Sequence, residues 1–99
     1  MAINQILVGT ATPTNVRNAK PIPALIVRGR DPHDLRIMIE KAIETISRDI
    51  RRAHPIRIQT PHQPPTRDAE VQIMPAHHYD EKVYGGYYRQ IEAYLRSNM

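Results

Sequence analysis

The fold of this chain is set by residues 31–53, which read DPHDLRIMIEKAIETISRDIRRA. Asp31 is suited to cap a helix and Pro32 to occupy its first position. Apolar residues then recur at spacings of three and four, namely Leu35, Met38, Ile39, Ala42, Ile43, Ile46 and Ile50. Because Pro55 cannot continue a helix, we predict one amphipathic helix that ends near Ala53.

Short strands flank this helix in the sequence. Before it, residues 24–27 form an apolar run rich in branched side chains, which indicates a buried strand. After it, Ile56 and Ile58 alternate with polar residues, and Val71 and Ile73 do the same. We predict that these two alternating segments pair as antiparallel strands.

A second helical pattern begins at Asp80, with apolar or aromatic residues at Val83, Tyr84, Tyr87, Tyr88, Ile91, Tyr94 and Leu95. Gly85 and Gly86 interrupt it, and each glycine inside a helix costs about 1 kcal/mol relative to alanine. They could mark a break or allow a neighbouring backbone to approach closely. The resulting β-α-β-β-α order predicts an α+β fold, a split β-α-β ferredoxin-like sandwich whose last strand is absent or replaced by residues 3–8.

The connection between the second and third predicted strands is proline-rich and basic. It spans residues 60–67, which read TPHQPPTR. Its three prolines are Pro61, Pro64 and Pro65. They fix φ and remove amide donors, so we predict a stiff extended loop that projects from the sheet. With His62 and Arg67 on it, the loop suits contact with an anionic partner.

The net charge of +4 is concentrated near the N-terminus of the 99-residue chain. Residues 1–23 contain Arg17 and Lys20 and no acidic residue, so we predict a basic N-terminal arm followed by a single domain over residues 24–99. Such an arm could lie along phosphates, act as a solvated tail, or belong to an organellar targeting region.

Several function classes lack support in the sequence. The chain has no cysteine, and its histidine spacings match no common zinc signature. It has no nucleophile motif and no phosphate-binding glycine loop. It also has no apolar run long enough for a membrane span or a secretory signal. We therefore expect no enzymatic activity, no cofactor or metal, no membrane association and no small-molecule substrate.

Two motifs, in their order, resemble the universal small-subunit ribosomal protein ten family. Residues 27–35, VRGRDPHDL, are similar to that family's G-x-D-P-x-D-L start of the first helix. Residues 60–67 are similar to its proline-rich loop, with matches at Pro61, Pro65, Thr66 and Arg67. His78 alone matches the S-P-H element of the bacterial branch. The similarity ends there, because the family's basic R-x-H-K-R-L run is replaced by residues 90–95, QIEAYL.

This resemblance implies a structural constituent of the small ribosomal subunit, ribosome-bound in an organelle such as the mitochondrion or in the cytoplasm. Its partners would be small-subunit rRNA and neighbouring proteins of the subunit head, in a ribonucleoprotein that serves translation. The RNA-binding residues implied are Arg17, Lys20, Arg57, His62, Arg67 and His78. Phosphate contacts of this kind position a protein on RNA without reading its sequence.

The alternative from another class is a protein-protein interaction subunit of a viral or organellar assembly. Its docking face would be the tyrosine-rich C-terminal helix, through Tyr84, Tyr87, Tyr88 and Ile91. Core packing is the competing role for the same residues, since the chain contains no Phe or Trp.

Overall fold

The structure, a computed structural model, describes residues 3–61 and 68–98. Its strands are β1 (Ile3–Ala11), β2 (Ile22–Gly29), β3 (Ile56–Gln59) and β4 (Ala69–Pro75). Its helices are α1 (Pro32–Glu44), α2 (Arg48–Ala53) and α3 (Glu81–Ser97). The protein is thus an α+β fold, as predicted, and its N-terminal segment supplies the first strand.

The strands form one antiparallel sheet in the order β1-β2-β4-β3. The predicted pairing of the two alternating segments is confirmed, with Ile58 of β3 opposite Ile73 of β4. Strand β1 lies at the edge of the sheet, where Ile6 is opposite Val27 of β2. Neighbours along the chain are therefore not always neighbours in the sheet, because β4 lies between β2 and β3.

The main core lies between one face of the sheet and the long helices α1 and α3. Alternate residues of β2 and β4 point into it, and the apolar stripes of both helices cover them. Its most deeply buried members are Leu25, Val27, Leu35, Ile39, Ala42, Val71, Ile73, Ile91 and Leu95. The apolar residues whose spacing predicted the strands and helices are thus the residues that pack between the sheet and the helices.

The predicted single helix over residues 32–53 is wrong in one respect, because it is broken after Glu44. Thr45 is the C-cap of α1, and its hydroxyl donates to the carbonyl of Ala42 at 2.6 Å. Ser47 is the N-cap of α2. The Thr45 hydroxyl competes for a carbonyl with the helical hydrogen bonds, which favours a break at this residue, whereas the Ser47 side chain makes no capping hydrogen bond. Ile46, between them, is buried in the core.

Helix α3 continues through Gly85 and Gly86 without a break. A Cβ built on Gly86 meets no atom within 4 Å, and one on Gly85 meets only the Arg89 guanidinium at 3.6 Å. Within the described residues, therefore, no neighbouring backbone approaches either glycine closely. The glycines weaken the helix without a packing reason from the chain itself.

The opposite face of the sheet is crossed by the connection between β1 and β2, residues 12–21. A second apolar cluster lies on this face and consists of Ala11, Ala24 and Met74, with Ile22 against it. The connection contains two asparagines in the left-handed region, Asn15 at φ 61° and Asn18 at φ 56°. Asparagine tolerates this conformation better than most residues, so the turns are suited to their sequence.

Candidate nucleic-acid interface

A row of hydrogen-bonded polar side chains crosses the sheet on the face opposite the long helices. Arg28 of β2 donates to Gln5 of β1 at 2.7 Å and to Glu70 of β4 at 2.9 Å. Gln72 donates to the other oxygen of Glu70 at 2.7 Å, and Gln59 of β3 donates to Gln72 at 2.7 Å. The row links all four strands, so it fixes the orientation of each side chain in it.

Gln59 connects this row to the β1–β2 connection. Its Nε2 donates to the carbonyl of Thr12 at 3.0 Å, and its Oε1 accepts from the amide of Thr14 at 3.1 Å. The Thr14 hydroxyl lies 3.2 Å from the same oxygen. Gln59 is buried, and all its polar atoms have partners. A satisfied buried amide of this kind holds the connection against the sheet.

Arg57 is brought to the same place from the edge strand β3. Its Nη2 donates to the hydroxyl of Thr14 at 3.0 Å and also to the Thr14 carbonyl. The salt bridges among residues 3–61 and 68–98 join other pairs, so Arg57 keeps its positive charge without a carboxylate partner there. Arg57 therefore places a positive charge beside the β1–β2 connection at Thr14.

Arg17 and Lys20 lie on this connection, and both are exposed. Arg17 is three residues from Thr14, a span of at most about 11 Å along the chain. The connection is tied down by Gln59 and Arg57, so the residues of the predicted basic arm sit on an ordered loop at the sheet. Arg17 and Lys20 thus lie on the same connection that Arg57 contacts at Thr14.

The charges of the chain divide unevenly between its two layers. The three helices and their aspartate caps hold eight basic and eight acidic residues. Among the described residues, the strands and the segments joining them hold five basic residues and two acidic ones. One of those acidic residues, Glu70, is already paired with Arg28. The positive excess among the described residues therefore belongs to the strands and the segments that join them.

The tyrosines of α3 lie in the core, which corrects their prediction as an exposed docking face. Tyr84, Tyr87, Tyr88 and Ile91 are 0–3% exposed and pack against the sheet and α1. The stripe that suggested docking is the face with which α3 covers the sheet. The reason is composition, because in a chain without Phe and Trp the tyrosines supply the large core side chains.

The hydroxyl groups of these tyrosines hold three parts of the backbone. Tyr88 donates to Pro23 at 2.9 Å and Tyr84 to Pro55 at 2.9 Å. The Tyr87 oxygen lies 2.9 Å from the carbonyl of Ile50 and 2.8 Å from that of His54. Burial raises the pKa of all three hydroxyls, and it raises the pKa of Tyr88 most. They therefore remain neutral donors at physiological pH.

The remaining predicted site residues are less tightly placed. His78 is exposed in the connection between β4 and α3, and the hydrogen bonds of the described residues do not link it to Arg57. Pro61 is half-buried after β3. His62, Pro64, Pro65 and Arg67 lie outside the described residues, and with them most of the predicted loop.

Within residues 3–61 and 68–98, histidines and carboxylates do not gather in groups of three that could hold a metal ion. No helix in those ranges is long and apolar enough to cross a membrane.

Comparison with protein families, with curated proteins and with solved structures found no match for this chain. The resemblance to ribosomal protein ten therefore rests on the two sequence motifs alone.

Sequence reasoning missed the polar row and the role of Thr14. Arg28 and the four residues Gln5, Gln59, Glu70 and Gln72 each occupy a polar position in an apolar strand. Alternation along a strand predicts which residues of that strand point to the same face of the sheet. Their register across strands, which makes them one network, is not visible in the sequence.

Proposed function

We propose that the protein binds RNA through the surface formed by the β1–β2 connection and the adjoining end of β3, called here the basic sheet side. The observation that carries this proposal is the charge division among the described residues: the helices with their aspartate caps are balanced, whereas the strands and the segments joining them hold five basic residues against two acidic ones. A one-sided excess of Lys and Arg is the electrostatic feature by which proteins engage a phosphate backbone.

The chemistry of this surface suits phosphates better than bases. Arg17, Lys20 and Arg57 supply charged donors, and the described tyrosines with buried rings are on the other side of the sheet. Binding to unpaired bases uses aromatic stacking platforms, which the polar row does not provide. The partner we propose is therefore a structured RNA whose backbone lies along the connection.

The finer proposal is that this RNA is small-subunit rRNA and that the protein is a structural constituent of the subunit head, related to ribosomal protein ten. The β2-α1-β3-β4-α3 part of the chain, with α2 as an addition and β1 in the place of a final strand, supports a split β-α-β ferredoxin-like arrangement of that kind. The motifs at residues 27–35 and 60–67 support the family. The protein-protein alternative would need residues other than the four buried in α3.

Salt-dependent RNA binding tests the coarser proposal. Fluorescence anisotropy with a labelled RNA hairpin is measured against salt for the wild type and for the double variant Arg17→Gln/Lys20→Gln. The measured quantity is the slope of the logarithm of the binding constant against the logarithm of the salt concentration. We expect the magnitude of this slope to be smaller by about 2 in the variant, about 1 for each lost phosphate contact. The matched control is Lys41→Gln/Arg89→Gln, which removes the same charge from exposed helix positions and should leave the slope unchanged.

An equal loss in both double variants would contradict a localised surface and would indicate a response to net charge alone. The ribosomal part is tested separately, by sedimentation of a tagged copy from its native host. Migration apart from ribosomal particles would exclude the ribosomal role, while RNA binding at the basic sheet side would stand or fall on the hairpin measurement.

A further inference from the structure

The two edges of the sheet differ in how they are protected against pairing. Strand β3 is four residues long, carries Arg57, and lies between Pro55 and Pro61. Short length, charge and proline are among the features that block a sheet edge. Strand β1 is nine residues long and contains no charged residue and no proline, and its irregularity in register, at residues 3–5, lies at its N-terminal end. Its edge is therefore the one suited to accept another strand.

The outer edge of β1 is lightly used by the described residues. Outside its pairing with β2, its backbone receives one side-chain hydrogen bond, from Arg96 Nη2 to the carbonyl of Ile6 at 3.4 Å. That contact is long, and Arg96 also pairs with Glu92 at 2.8 Å. Val8, on the same strand, is 57% exposed although it is apolar. Both observations indicate a strand whose edge has room for a partner.

We propose that β1 pairs with β1 of a second copy of this chain, antiparallel about a two-fold axis through Leu7. The sequence of the strand supports a second copy over a foreign strand, because the polarity of residues 5–9, which follow the irregularity at residues 3–5, is symmetric about Leu7. The central apolar residues Ile6, Leu7 and Val8 are flanked by Gln5 on one side and Gly9 on the other.

In this register the exposed Val8 of each copy contacts an apolar residue of the other copy. With Leu7 opposite itself, Val8 of each copy lies opposite Ile6 of the other, on the face that carries the helices. Gln5 lies opposite Gly9. Each copy has a net charge of +4, and the uncharged strand lets two such copies meet without like charges directly opposite one another.

The resulting dimer has one continuous eight-stranded sheet, with all helices on one face. Two-fold symmetric pairing of the same surface is the commonest arrangement of soluble homodimers. A single strand pair buries little area, so we expect reversible association that depends on protein concentration. Both basic sheet sides then face the same direction.

Self-association tests the proposal by sedimentation velocity over concentrations from about 1 µM to about 1 mM. Val8→Lys places a charge at the centre of the pair, and we expect it to weaken dimerisation at least about tenfold. Val16→Lys adds the same charge at an exposed apolar residue of the connection and should leave the dimer unchanged. Ile50→Lys, at the exposed groove between α2 and α3, should also have no effect.

Hydrogen exchange provides the second readout, since the amides of β1 should gain protection as the concentration rises. A monomer at every concentration would overturn the proposal. So would a dimer that survives Val8→Lys, or one that Ile50→Lys disrupts instead, because either result would place the interface elsewhere. Circular dichroism of Val8→Lys at low concentration checks that the variant is folded.

Discussion

The buried hydroxyl of Tyr88 offers a quantitative test of how α3 holds the sheet. Tyr88→Phe keeps the ring in the core and removes the 2.9 Å hydrogen bond to the carbonyl of Pro23. A neutral hydrogen bond contributes about 0.5–1.5 kcal/mol, and an acceptor left unsatisfied in the interior costs about 1–3 kcal/mol. Since Pro23 is half-buried, we expect the free energy of unfolding to fall by about 1–2 kcal/mol.

The other core tyrosines should follow in a defined order. The rise in pKa shows that the Tyr88 hydroxyl is the most strongly desolvated of the three. Water can replace the lost donor more easily at Tyr84 and Tyr87, so we expect about 1 kcal/mol or less from Phe at either position. For a chain of this length, 1 kcal/mol corresponds to about 4–8 °C in Tm.

Urea denaturation followed by far-UV circular dichroism measures these differences. Tyr94→Phe is the matched control, because Tyr94 is half-buried and its hydroxyl has no partner among residues 3–61 and 68–98. We expect this control to change stability by less than about 0.5 kcal/mol. If Tyr88→Phe were as stable as Tyr94→Phe, the hydroxyl would not be holding β2 to α3, and the reasoning would be refuted.

Three further outcomes follow from the described contacts. Gly86→Ala should raise the free energy of unfolding, measured by urea denaturation, by about 0.5–1 kcal/mol, because alanine favours the helix more than glycine does. Apart from its chain neighbours and the nearby backbone of its own helix, the added methyl group would meet no atom within 4 Å. A loss of stability would contradict this prediction. Burial raises the pKa of the three core tyrosines in the folded state above its value in the unfolded chain. Their contribution to the free energy of unfolding should therefore be complete below about pH 10 and should fall as the pH rises above it. A free energy of unfolding that stayed constant up to about pH 12 would contradict this prediction. Gln59→Leu should loosen the β1–β2 connection and accelerate tryptic cleavage after Arg17, and an unchanged cleavage rate there would count against the role of Gln59.

The elements with strong periodicity were predictable from sequence, and those decided by long-range contacts were not. The spacing of Leu35, Ile39 and Ala42 predicted α1, and alternation around Ile58 and Ile73 predicted the β3–β4 pair. The helix break after Glu44 was not predicted, because the apolar spacing continues through Ile46 and Ile50. There the hydrogen bond from the Thr45 hydroxyl to the Ala42 carbonyl ends α1 although the apolar periodicity continues.

The candidate site could be predicted only in its residue types. Charge identified three basic residues in the sequence, namely Arg17, Lys20 and Arg57. Arg57 is more than 30 residues from the other two, so its contact with their connection at Thr14 depends on how that connection crosses the sheet. The spacing of the tyrosines along α3 could be recognised in the sequence. The same helical period, however, is expected for a face that packs in the core and for a face that binds a partner. The sheet that buries the tyrosines, not the helix, decides between them.

Mapping RNA contacts on the isotope-labelled protein by NMR tests the central proposal most directly. A structured RNA hairpin is titrated into the protein, and backbone amide shifts are followed for the sheet and for the helices. The proposal predicts shifts concentrated in residues 12–21 and at Arg57, with little change on the outer surfaces of α1 and α3. Shifts confined to the helices, or no shifts at low salt, would contradict it.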